Sequence, residues 1–287
     1  MAFFVLADST VKIIAKSLEP LAQTYSRLFL AGVITVILFH KKIRSKAIFK
    51  ATKHTLKWIF ITGGLGFGIK AILFTLGLIH TKLLNVSSID SLTPLVVYLY
   101  SIVLFKTKFD LRTLGFIAIS IYGALMIATK SFIPIISQYG IGELFISASI
   151  FMTALSIVGR KILGTTLNNF EVAASTYLIA SLLLFLLTTI VGERSIFDGL
   201  TTEAFVLLLF SSVLSAFAAV LVNYALTKLE ATLISQILLS KIIFSLLLGF
   251  ILLRELPLRI EVIGSGIIIV GVYLANRYRF LIKEKVR

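Results

Sequence analysis

Residues 203–226 read EAFVLLLFSSVLSAFAAVLVNYAL, with no charge after Glu203. At 1.5 Å of rise per residue, a helix of this length crosses the roughly 30 Å hydrocarbon layer of a bilayer. Its apolar residues run on without the period-2 alternation of an outer-membrane strand. A helix apolar on every side belongs in lipid or in the centre of a large core.

The rest of the chain decides between those two. Of its 287 residues, 58% are hydrophobic and 14% are charged, where a soluble domain has about 45–50% and about 25%. A globular enzyme in water could not bury that excess. Nine further apolar segments accompany the first: 2–18, 21–40, 58–79, 84–104, 111–129, 141–160 and 170–191 before it, and 231–253 and 260–276 after it. Ten spans of roughly 20 residues use about 200, which leaves short linkers and no separate soluble domain. The 18 glycines against 4 prolines favour helices in close contact. The fold expected is all-α and integral to the membrane, with ten transmembrane helices.

There is no cysteine, which excludes disulfides, thiolate catalysis and Cys-ligated metal. His40, His54 and His80 lie far apart near span ends and form no metal set. No Ser/His/Asp constellation is suggested. Neither a cofactor nor an enzymatic activity is expected. The run Gly63-Gly-Leu-Gly-Phe-Gly68-Ile-Lys70 lacks the Gly-Lys-Ser/Thr ending of a phosphate loop and lies inside an apolar segment. Gly64 and Gly68 instead have the spacing of a tight helix contact.

The net charge of +15 is mostly topology. With the N-terminus inside, 18 of the 28 Lys and Arg residues fall in inner linkers and the C-terminal tail, Arg160 and Lys161 among them. Six fall outside and four within spans: Lys12, Arg27, Lys70 and Lys241. By the positive-inside bias both termini are cytoplasmic, in a multi-pass protein of the cell membrane. The basic stretch Lys41 to Lys57 faces anionic headgroups rather than nucleic acid. No cleavable signal peptide is expected, since a basic n-region is missing.

The halves echo each other. Thr81-Lys82-Leu83 recurs as Thr227-Lys228-Leu229, and Ile119 to Gly123 lies over Ile267 to Gly271. Five spans per half place the second half, residues 139–287 with the basic tail, upside down relative to the first, residues 1–130. Such an inverted repeat is a common plan of secondary transporters.

Four landmarks carry a family resemblance: Lys12, Pro20 and Arg27 in the first hairpin; Ser87-Ser-Ile-Asp-Ser-Leu-Thr-Pro-Leu95 in the fourth span; Leu252-Leu-Arg-Glu255-Leu closing the ninth; and Gly264 and Gly271 in the tenth. Over its whole length the chain resembles EamA-like proteins of the drug/metabolite transporter superfamily. The resemblance implies a central cavity enclosed by spans 1, 3, 4, 6, 8 and 9. Two departures stand out. Lys106-Thr107 replaces the Gly-Glu of many relatives. Ser240-Lys241 stands beside the position where many have Pro, a feature similar to the sugar-phosphate and nucleotide-sugar branches.

Ionisable groups within spans cost roughly 2.5–3.5 kcal/mol at the helix centre and face a cavity or a partner. Here they are Asp8, Lys12, Arg27, Lys70, Asp90 and Lys241, a surplus of cations suited to an anion or carboxylate. Asp8 and Lys12, at i and i+4, make either a polar stripe or a self-cancelling pair. Lys16 and Arg27 snorkel to the outer interface. Lys70 shares a face with Phe67 and Phe74 and needs a cavity or an acid such as Asp90 or Asp8. Ser87, Ser91, Pro94, Tyr98 and Ser101 fall on one helical face. Pro94 frees a carbonyl there, for substrate or for a Ser/Thr hydroxyl. The stripe reads as a binding surface or as glue between helices. Lys241, following Gln236 and Ser240, contacts an anionic substrate group or bridges to an acid of the other half. Asn223 and Tyr224 are weaker candidates.

The function expected is secondary transport of a small organic metabolite by alternating access, with an anionic or carboxylate-bearing substrate. Without a nucleotide-binding module, the driving force is a gradient or exchange. The alternatives are export of neutral or cationic compounds, such as amino acids or drugs, with Asp90 as the binding acid, and a non-transporting scaffold. The partners expected are the substrate and the lipid bilayer, with a homodimer as an open option and no nucleic acid.

Overall fold

A computed structural model describes residues 18–44, 52–81, 89–133, 140–191, 200–240 and 258–285, with Phe3, Leu6, Ile14, Val86, Ile243 and Phe244. Most of the first expected span, the ninth beyond Ser240 apart from Ile243 and Phe244, and Asp8, Lys12, Ser87 and Lys241 lie outside the described residues. Among the described residues every regular element is helical. These are α1 (Pro20–Leu38), α2 (Lys53–Ile59) running through a π-helix (Phe60–Ile69) into α3 (Lys70–His80), α4 (Thr93–Phe105), α5 (Leu111–Thr129), α6 (Ile141–Leu163), α7 (Asn169–Val191), α8 (Thr202–Lys228), α9 (Ala231–Leu239) and α10 (Arg259–Lys285).

Six described stretches are long and apolar enough to cross a membrane: Leu21–Leu38, Lys53–Gly77, Ile141–Leu163, Asn169–Ile190, Thr202–Lys228 and Arg259–Tyr278. They coincide with expected spans two, three, six, seven, eight and ten. The fourth and fifth are the shorter apolar helices α4 and α5. Phe29, Phe151, Phe185 and Phe210 stand exposed on the long helices, as lipid-facing side chains do. The chain is an all-helical membrane fold.

The sequence marks the helix starts. Pro20 opens α1, and Pro94 lies in the first turn of α4, where a missing N–H leaves no bond unmade. Three helices begin with a glutamate reaching back to the residue before the helix. Glu143 accepts from Gly140 N at 2.8 Å, Glu171 from Asn168 N at 2.8 Å and Glu261 from Leu258 N at 2.7 Å. Each is nearly buried. A carboxylate there also meets the positive end of the helix dipole.

Contacts sort the chain into two compact units. One holds 77–154 and 229–287 with Met1; the other holds 2–76 and 155–228. In the first unit α5 crosses α10 on glycines. A Cβ at Gly123 would lie 2.7 Å from Gly264 O, and one at Gly271 would lie 3.1 Å from Phe116 O. In the second unit α1 packs on α7, with Gly32 against Leu178. Leu21, Leu28, Ala31, Ala173, Tyr177, Ala180 and Leu184 form its core. The π-helix lies against α6 and α7 in the same unit. Gly66 meets the Ser156 backbone, and Gly63 meets the Thr176 carbonyl. Gly68 faces Leu183 and Ala180.

Candidate functional site

The fourth span breaks where expected. Residues 91–92 form a turn, and α4 starts at Thr93. Pro94 cannot donate to the carbonyl four residues back, that of Asp90. Thr93 Oγ1 donates to that carbonyl instead, at 2.7 Å, and lies 3.4 Å from Asp90 Oδ1. Asp90 is half-buried and Ser91 is buried. Further along, the Tyr98 hydroxyl donates to Asp110 O at 3.1 Å and accepts from Asp110 N at 2.8 Å. Ser101 Oγ donates to Val97 O and receives Thr232 Oγ1 of α9. Of the stripe, Tyr98 and Ser101 therefore tie α4 to its neighbours, while Asp90 and Ser91 sit at the break. On α9, Gln236 is buried and its Nε2 meets no hydrogen-bond acceptor. Ser240 caps the C-terminus of α9. All of these belong to the first unit.

Lys70 belongs to the second. It opens α3 directly after the π-helix, half-buried, with its Nζ 4.5 Å from the centre of the Phe74 ring. The sequence reading placed Phe67 on the same face. Phe67 carries a second cation: Arg160 Cζ lies 5.0 Å from its ring centre. Tyr177 meets the Phe67 ring edge-on at 5.5 Å and donates its hydroxyl to Ser215 O at 2.9 Å.

Arg160 was counted with the inner linker. Here it sits near the end of α6, which runs on to Leu163. Its exposure is 7%, its Nε is enclosed without an acceptor, and among the described residues no carboxylate pairs with it. The signal for this was present. No helix breaker stands between Ser156 and Gly164, so Ser156 and Arg160 share a face at i and i+4. Three hydroxyls nearby in the fold, Thr62 Oγ1, Ser156 Oγ and Thr176 Oγ1, are also buried without a hydrogen-bond partner. Thr62 packs on Gly159, beside Arg160. Elsewhere in the second unit helical hydroxyls bond back to their own helix, as Ser26 does to Ala22 O and Thr35 to Ala31 O.

Charges at the helix ends are handled differently. Arg44 reaches Glu171 by its backbone N at 2.9 Å and by its guanidinium at 3.3 and 3.4 Å. This ties the loop after α1 to the start of α7. Lys161 donates to Leu226 O. Asn223 gives its Nδ2 to Asn169 O, and its Oδ1 has no partner. At the start of α5, Asp110 accepts from Thr113 N at 2.9 Å, Thr113 Oγ1 at 2.6 Å and Tyr278 Oη at 3.3 Å. Burial raises its pKa, but these hydrogen bonds outweigh burial and hold the carboxyl below its ordinary value. At the basic end of the third span, Trp58 Nε1 donates to His54 Nε2 at 3.1 Å. Both line a small pocket with Thr55, Ile162, Leu163, Thr165 and Thr166.

Comparison with known proteins gives a consistent result. The EamA-like transporter family matches in two stretches, residues 1–129 and 140–277. A curated protein of Archaeoglobus fulgidus, described as an uncharacterized transporter, is 27% identical over 291 residues, covering 97% of this chain and 96% of that one. A solved crystal structure has a TM-score of 0.79 at 14% identity, over 98% of this chain and 96% of its own. That last likeness concerns the fold alone.

Proposed function

This chain belongs to the EamA-like transporter family, and from that premise we propose that it is a secondary transporter of a small anionic metabolite, working by alternating access. The observation that carries the anionic preference is two cations of the second unit that stand over aromatic rings. Lys70 and Arg160 stand over Phe74 and Phe67, aromatic rings of a single span. Cations within apolar helices and held over rings suit a carboxylate or phosphate.

The architecture we propose is ten spans in two inverted halves, 1–130 and 139–287, with both ends cytoplasmic in the cell membrane. Two observations support the inversion. The family matches in two stretches close to those halves. The crossing of α5 and α10 is also reciprocal: Gly123 approaches Gly264 O while Gly271 approaches Phe116 O, and in each pair the partners swap places under the offset of 148 between the halves.

The test is counterflow in proteoliposomes loaded with organic anions, amino acids or cationic compounds. Saturable, counter-substrate-stimulated flux of an anion, reduced in Lys70→Ala and Lys241→Ala, is expected. Flux of cations alone, lost in Asp90→Asn, would support export of cationic compounds instead. The half-buried Asp90 at the break before α4 favours that second reading.

A further inference from the structure

Among the described residues Arg160 is a cation without a counter-charge. A guanidinium has five N–H donors in its plane and none on its face. The Phe67 ring lies against the group, its centre 5.0 Å from Cζ. Nε is enclosed and donates to nothing, and no carboxylate among the described residues pairs with the group. Burying a charge in this condition is strongly unfavourable unless something completes it. The surroundings are equally incomplete. Ser156 shares the α6 face of Arg160, Thr62 packs beside it on Gly159, and Thr176 lies across the glycines of the π-helix. All three hydroxyls are buried and unbonded. One unsatisfied hydroxyl is ordinary. Three in one unit, with Ser156 and Thr62 on the side of the π-helix that faces α6, the helix carrying Arg160, leave donors without an acceptor.

We propose that Arg160, with the hydroxyls of Thr62 and Ser156, forms an oxyanion site that takes the carboxylate or phosphate group of the transported compound. The inference rests on the transporter reading above and names its substrate class. The planar fork of arginine fits both groups bidentately, which a lysine at this position would not. The hydroxyls supply the remaining donors. Lys70, three residues after Phe67, adds charge without the fork.

The experiment uses the full chain in detergent. Thermal unfolding is followed with potassium succinate, potassium phosphate, potassium chloride and glycerol, at matched ionic strength for the three salts. Succinate or phosphate is expected to raise the melting temperature in a saturable way, with chloride and glycerol leaving it unchanged. Arg160→Gln should abolish the rise. Arg160→Lys should weaken half-saturation by about 10-fold or more, and Thr62→Val by a smaller factor. If Arg160→Gln does not fold, Arg160→Lys carries the comparison. A purely structural arginine would lower the ligand-free melting temperature and leave the anion response of the folded variant intact, which overturns the proposal. So does a wild-type chain that responds to neither anion, or to chloride equally. Counterflow separates this result from the transporter reading. Wild-type protein that binds succinate or phosphate but carries no flux keeps the site and sinks transport. Anion flux with an unchanged KM in Arg160→Gln keeps transport and sinks the site.

Discussion

Pro94 has no N–H to give the Asp90 carbonyl, and Thr93 supplies a hydroxyl in its place. The sequence left that carbonyl to either a substrate or a side chain, because a Thr next to a Pro can turn back only when the chain bends there. Tyr98 is similar: its position on the stripe was readable, but its bond to Asp110 depends on where α5 begins twelve residues later. Asp110 then allows a test at this scale. Its folded pKa lies below the ordinary aspartate value of about 3.9. The stability it contributes is therefore fully present above the unfolded pKa and is lost as pH falls through the lower, folded one. Asp110→Asn should flatten the fall in melting temperature on acidification through that window. The effect should be under about 1 kcal/mol, because the carboxylate stays largely solvated. An unchanged acid limb would show that the Thr113 and Tyr278 contacts do not favour the charged form.

Spans two, three, six, seven, eight and ten were legible as elements, because continuous apolar runs of this length have one membrane solution. What the runs did not show was the π-helix over Phe60–Ile69. Of the two glycines expected in a tight contact, Gly68 makes one, 2.9 Å from Leu183 for an added Cβ, whereas Gly64 meets nothing closer than 3.5 Å, and Gly63 and Gly66 make the other close approaches. The contacting surfaces, however, are α6 on one side and α7 on the other, which a GxxxG spacing alone does not distinguish. The departure at Lys106 also acquires a physical meaning. Lys106 ends α4 with φ of 51°, in the left-handed region where the family's glycine carries no Cβ penalty. Arg160 was misplaced because a basic residue next to a span end reads as a loop charge, whereas α6 continues past it. Glycine contacts make the element-scale prediction. A methyl at Gly66 would stand 2.9 Å from Ser156 N and 3.0 Å from its Cα, whereas one at Gly115 meets nothing within 4 Å. Gly66→Ala should destabilise by roughly 1–3 kcal/mol, since backbone cannot swing aside. Gly115→Ala should be neutral or stabilising by up to about 1 kcal/mol. Equal melting temperatures for the two would mean that the π-helix does not pack closely on α6.

At the scale of the molecule, the inner and outer faces were argued from charge counts, and the absence of cysteine makes them directly testable. Single cysteines at Ala47 and at the exposed Arg277 should react with a membrane-impermeant maleimide only after the cells are opened. One at Ser195 should react in intact cells. Labelling of Ala47→Cys in intact cells would reverse the orientation. The same economy of residue types gives the protein a native optical reporter. Trp58 is the chain's one indole, and its N–H rests on His54 Nε2 beside the end of α6. Any rearrangement that parts α2 from Ile162 and Leu163, or places a proton on that histidine nitrogen, changes the polarity around a lone fluorophore. Movement at the basic end of the third span should therefore register as a shift in tryptophan emission, without a label, during the same turnover that moves substrate.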